Sequence, residues 1–251
     1  TTEHVPTTSL PPFLMAYTES VVSRLDVDWT RVRKWAGSDP VTVVGSEEVG
    51  SGMADVNYWT GDHPEEGTAW WSEPLNWSEN VVPDINTDVI IPDVTNDPTI
   101  DTAAFCRNLT INTGATLTLP GSLTLTVSGD WTDNGYFSPT GTGTVIFNGS
   151  EQTISGIAYH LFYHLTISSS GSVTLGANVE LYGDLSVTSG VFDLGPNLIN
   201  NTYTGGTLSV SGGATVKIGG TGTLPAGYDA GYSFLPGSKI EYSGTNQLIY
   251  D

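Results

Sequence analysis

Among 251 residues, 27 Asp and Glu stand against 7 Lys and Arg, a formal charge of −20 at neutral pH. A surface of that sign repels nucleic acid and anionic lipid, so neither is an expected partner, and no run reaches the roughly 18 apolar residues of a membrane insertion. Thirty glycines with abundant Thr, Ser and Asn exclude a mainly helical protein and point to β-structure with many tight turns.

Residues 1–52 form an extension unlike the rest. Four of the seven basic residues, Arg24, Arg31, Arg33 and Lys34, lie within it. Its prolines predict that "TTEHVPTTSLPP" is extended. The following "FLMAYTESVVSRLDVDWTRVRKWAG" predicts a helix, with Leu14, Val21, Val22, Leu25, Trp29 and Val32 near one face and Gly37 after a basic last turn. The extension is expected to be a cap or a partner-binding arm.

Residues 53–84 are rich in tryptophan. Trp59, Trp70, Trp71 and Trp77 are expected to plug the open end of a core; a platform for stacking on sugar rings is the competing reading. Next, "DINTDVIIPDVTNDPTID" places Asp84, Asp88, Asp93, Asp97 and Asp101 close together in sequence. Calcium takes six to eight oxygen ligands, so these five are the candidate Ca2+ site. Their spacing matches no EF-hand loop, and Asp at turn starts also caps its own backbone.

From residue 85 to 251 the chain reads as short strands of alternating large apolar residues and Thr or Ser, broken by Gly, Ser and Asn turns. The lone cysteine, Cys106, begins a strand and is expected to be buried and inert. Trp131 and Tyr136, in "SGDWTDNGYF", are expected to bulge from a turn and touch a ligand. Asp130 and Asp184 each follow Gly and precede a strand, so stacking would align them on one face. His160 and His164 alternate with apolar residues on a strand, about 13 Å apart, too far to share one zinc.

Three stretches share one grammar: "LTINTGATLTL" at 109–119, "LTISSSGSVTL" at 165–175 and "LSVSGGATVKI" at 208–218. A looser pair is "TVIFNGSEQTI" at 144–154 and "KIEYSGTNQLI" at 239–249. Near-copies favour one unit stacked repeatedly over a β-sandwich, the alternative. The expected fold is all-β, a right-handed parallel β-helix of roughly seven coils of about 20 to 25 residues.

The words "WWSEPLNWSENVVPDINTDVIIP", "CRNLTINTGATLTL", "GSLTLTVSGDWTDNGYF" and "GTGTVIFNGSEQTISGIAYHLFYHLTI" resemble the β-helical repeat regions of large secreted surface proteins of Bacteroidetes, often exported by the type IX route. The opening word also looks like the start of a G8-type β-helix domain. This resemblance implies an extracellular or cell-surface protein, an adhesin or a carrier of enzymes. "DTA", residues 101–103, resembles the short O-glycosylation motif of such bacteria, which implies a sugar on Thr102. In such proteins the phrase at 144–154 is followed by an aromatic strand, so the chain is expected to continue past its second copy or to be capped by a partner.

No catalytic motif accompanies the scaffold: no G-x-S-x-G elbow, no phosphate loop, no Cys–His pair. Beyond residue 50 only Arg107, Lys217 and Lys239 offer a base, and no acids cluster near them. The expected function is structural and adhesive, with a cell-surface glycan or copies of the chain itself as partner, the latter as a homo-oligomer or filament. A carbohydrate-binding module and a polysaccharide-degrading β-helix enzyme are the alternatives.

Overall fold

The structure, a computed structural model, describes residues 56–247 apart from 66, 158 and 204. The expected N-terminal helix lies outside the described residues. What is described is a parallel β-solenoid of about seven turns. Most of its strands are short, two to five residues, because Gly, Asn, Asp or Ser turns interrupt them, and each turn redirects the chain to the next face.

Three faces result. The first carries Val56–Tyr58, Asp88–Ile91, Leu109–Ile111, Trp131–Asp133, Glu151–Ser155, Thr215–Ile218 and Lys239–Tyr242. The second carries Ala69–Trp70, Pro98–Thr99, Thr116–Leu119 and Tyr136–Pro139, then His160–Phe162, Val179–Leu181 and Ile199–Asn201. The third carries Ala104–Cys106, Thr124–Val127, Thr144–Phe147, Thr207–Val210 and Gly231–Phe234. The long strands His164–Leu175 and Leu185–Asp193 bend from the third face onto the first, joining both into one sheet. Every pairing between these strands is parallel, each strand bonding to its counterpart one coil away.

Period-two alternation sends every second residue inward, and the register stacks like on like. On the third face Cys106, Val127, Phe147, Ile167, Val187 and Val210 form one continuous buried column. The expected burial of Cys106 is met: it is fully buried, and desolvation pushes its thiol far above the ordinary range.

The Trp-rich segment forms the first, irregular coil. Val56–Tyr58 and Ala69–Trp70 already pair with the strands of the next coil. Trp59, Trp71 and Trp77 are buried, meeting edge-to-face with centroids 4.9 Å and 4.7 Å apart. The Trp77 indole N–H donates to the Trp71 carbonyl at 2.8 Å, and that of Trp59 to the Asn96 carbonyl at 2.7 Å. These three rings close the end of the core, as the plug reading expects. Trp70 is half-buried.

The near-copies correct one expectation. Residues 109–119 run from the first face to the second, whereas 165–175 and 208–218 run from the third face to the first. The repeated unit is therefore a strand–corner–strand, about half a coil, and the same grammar serves different corners.

Candidate functional site

The five acids expected to gather round calcium do not meet. Residues 84–101 travel from one corner across the first face to the corner after Pro98–Thr99, so the segment's path spreads its carboxylates round the coil. Asp84 caps its own turn, where the backbone N–H of Asn86 and the Thr87 hydroxyl hold its carboxyl below the ordinary range. Asp88 takes a bidentate pair from Arg107, at 2.7 Å and 2.6 Å, and a bond from the Asn108 amide at 2.8 Å. Asp97 accepts from the Thr116 N–H at 3.0 Å, one coil on. Asp101 binds the backbone N–H and hydroxyl of Ser72. Asp93 lies over Gly114, where a Cβ would strike its carboxyl. Among the described residues no three His, Cys, Asp or Glu side chains are placed to hold a metal ion.

Trp131 is a second correction. It does not bulge from a turn: it is fully buried, paired in register with Leu109 and Ile154. Its ring packs edge-on against Phe137 at 5.0 Å and Phe162 at 5.2 Å, so it is core and touches no ligand. Tyr136, half exposed at 49%, does face outward from the second face. Thr102 is exposed at the corner between Pro98–Thr99 and Ala104–Cys106.

Asp130 and Asp184 also separate. Asp130 precedes a first-face strand and accepts from the Thr153 N–H at 2.8 Å; Asp184 precedes a third-face strand and accepts from the Thr207 N–H at 2.8 Å. Each fastens its coil to the next. His160 ends up buried in a second-face strand, while His164 starts the third-face strand and its Nδ1 accepts from the Asp184 N–H.

A recess of another kind lies elsewhere, at the corner joining the second face to the third. Successive coils turn that corner with loops of different length: residues 140–143, then Tyr163 alone, then 182–184, then 202–206. Two longer loops therefore flank two tight ones, and a shallow groove of about 350 Å³ runs between them. Its lining is residues 139–142 at one end, followed by Tyr163, Tyr182 and Tyr203, one tyrosine per coil. Three steps of about 4.8 Å between the four coils give a groove roughly 14 Å long.

The tyrosine rungs are held in place from below. The Tyr182 N–H donates to the Phe162 carbonyl and the Gly183 N–H to the Tyr163 carbonyl. Any Cβ at Gly183 would run into the Tyr163 and His164 rings, so only glycine lets those rings lie against the next coil. Asn201, buried in the inward column beside Leu181, donates to the Gly183 carbonyl at 2.7 Å and accepts from the Tyr203 N–H at 2.8 Å. The Tyr182 and Tyr203 rings sit 5.1 Å apart with a tilt of 46°.

None of the three tyrosines stands out in the sequence read residue by residue. Their signal is their recurrence at the coil period, 163 to 182 to 203, which becomes visible only once the coil length is known.

Residues 58–150 match a family described as a domain of unknown function, DUF8693. That stretch runs from the Trp-plugged coil to just past Thr144–Phe147 and stops before the tyrosine rungs. No curated protein and no solved structure matches the chain.

Proposed function

We propose that this protein is a secreted or cell-surface structural element of bacterial origin, an adhesive β-solenoid that works by multivalent contact along a rigid flank. The observation that carries this reading is how its carboxylates are used. Asp97, Asp101, Asp130 and Asp184 each accept a backbone N–H from a neighbouring coil, and Asp88 ties Arg107 and Asn108 beneath it. Glycan cleavage needs two carboxyl groups facing each other across a groove. Here these five acids are fasteners between coils, which leaves them no such arrangement.

The strong negative charge keeps neighbouring copies apart in solution and favours uncharged or cationic partners. The test pairs antibody labelling of intact source cells with size-exclusion chromatography of a polysaccharide panel after incubation with the protein. Surface labelling with unchanged polymer length is expected. Shortened polymer would make this an enzyme, and labelling only after lysis would remove it from the surface.

A further inference from the structure

We propose that the corner groove over Tyr163, Tyr182 and Tyr203 is a binding site for a neutral polysaccharide, one sugar ring to each tyrosine, with the glycan chain running along the solenoid axis. The proposal rests on the adhesive reading above and supplies its ligand class.

Three properties of the groove select that class. First, no ionised side chain lines it, although the molecule carries a charge of −20. A polyanion meets repulsion from the whole surface and finds no Lys or Arg in the groove to offset it. That removes uronic-acid polymers, and it removes single-stranded nucleic acid, whose bases alone would suit stacked aromatics. A cationic peptide needs a free carboxylate, and the acid at this corner, Asp184, already accepts the Thr207 N–H.

Second, the lining is amphipathic in the way a sugar is. Tyrosine rings provide flat apolar surface with a hydroxyl at the tip, and Thr140 and Thr142 add hydroxyls at the end wall. Third, the groove is periodic. Its aromatic residues recur once per coil, and the adjacent rings Tyr182 and Tyr203 are 5.1 Å apart. A ligand that gains from every rung must itself repeat at about the length of one ring, as a linear polymer of pyranoses does.

The rungs are also set before any ligand arrives. Asn201 fixes the backbone of Tyr203 against Gly183, and backbone bonds tie Tyr182 to Phe162, so little backbone ordering is left for the bound state.

The experiment is native affinity electrophoresis of the full chain in gels containing galactomannan, hydroxyethylcellulose, xylan or alginate. Retardation by at least one of the three neutral polymers is expected, with a Tyr182→Ala/Tyr203→Ala variant losing at least tenfold in affinity. Tyr182→Phe should keep most of the affinity, since it keeps the ring. An unchanged melting temperature of the double variant separates lost contact from lost fold; if it melts early, the single Tyr203→Ala variant, at an exposed rung, serves in its place. No retardation by any neutral polymer overturns the proposal. So does retardation that the alanine variants leave intact, or retention by alginate alone. Each of these leaves the adhesive scaffold standing, because that reading is judged by surface labelling and polymer length.

Discussion

Asp133 occupies a core position that an apolar residue fills in the coil below. It pairs in register with Ile111 and is fully buried. One carboxyl oxygen accepts from the Gly135 N–H at 3.1 Å; the other has no partner among the described residues. Burial pushes its pKa up from 3.8 to about 6. An acid whose folded pKa is raised stabilises the fold most below its unfolded value and loses that contribution as pH rises through the folded value. The window is therefore about pH 4 to pH 6, and the loss is about 3 kcal/mol. Asp133→Asn does not titrate. Urea denaturation of both proteins at pH 4 and pH 7.5 should show the stability difference moving by about 3 kcal/mol in the variant's favour at the higher pH. A difference that stays constant would mean that this carboxyl does not change protonation in that range. The sequence hides this residue for a physical reason. In "WTDNG" an acid before Asn-Gly looks like turn chemistry, yet a strand of only three residues sends both its first and third side chains inward, so Trp131 and Asp133 are buried together.

At the scale of the corner, the loose repeat of 144–154 at 239–249 has a mechanical meaning. Gln152 accepts the Gly149 N–H at 2.6 Å and donates to the Val127 and Gly129 carbonyls of the coil below, at 3.0 Å and 2.6 Å. Gln247 repeats the arrangement: it accepts the Gly244 N–H at 2.7 Å and donates to the Ile218 and Gly222 carbonyls, both at 3.1 Å. One amide thus closes its own turn and ties it to the previous coil, which needs an acceptor and a donor on one side chain. Gln152→Leu leaves the Gly149 N–H and the Gly129 carbonyl without this partner, while the Val127 carbonyl keeps the Asn148 N–H, and should lower stability by about 2 kcal/mol. Gln152→Glu should be at least as harmful, since a carboxylate would face two carbonyl oxygens. Chemical denaturation checks both, and a Glu variant as stable as the parent would show that the donor half of the amide is dispensable. The repeat was legible in the sequence; its placement was not. The first copy links the third face to the first, the second starts from the first face, and alternation alone does not say which corner a Gly-x-x-Gln turn occupies.

Across the whole molecule, fold and site differ in how plainly they are written. The solenoid is legible because every coil repeats the same demand, apolar residues at every second position and small polar ones at the turns. A groove depends on differences between coils, the lengths of successive corners, and these are invisible until the strands are placed. The acids illustrate the same contrast. Read along the chain, Asp84 to Asp101 form a cluster; wrapped round the solenoid, they lie apart, with Asp88, Asp97 and Asp101 fastening coil to coil and Asp84 capping its own turn. Their effect is then collective. A surface at −20 repels itself, and dissolved cations relieve that repulsion by screening rather than by occupying a site. Melting temperature should rise with salt, and CaCl2 and MgCl2 should raise it equally at matched ionic strength. A cage of oxygens would behave otherwise, since calcium accepts six to eight ligands in flexible geometry where magnesium demands a small octahedron and sheds water reluctantly. A saturable rise specific to calcium at micromolar concentration would show that Asp84, Asp88, Asp93, Asp97 and Asp101 converge in solution. Equal responses are what carboxylates that lie apart, with no shared cage among the described residues, must give.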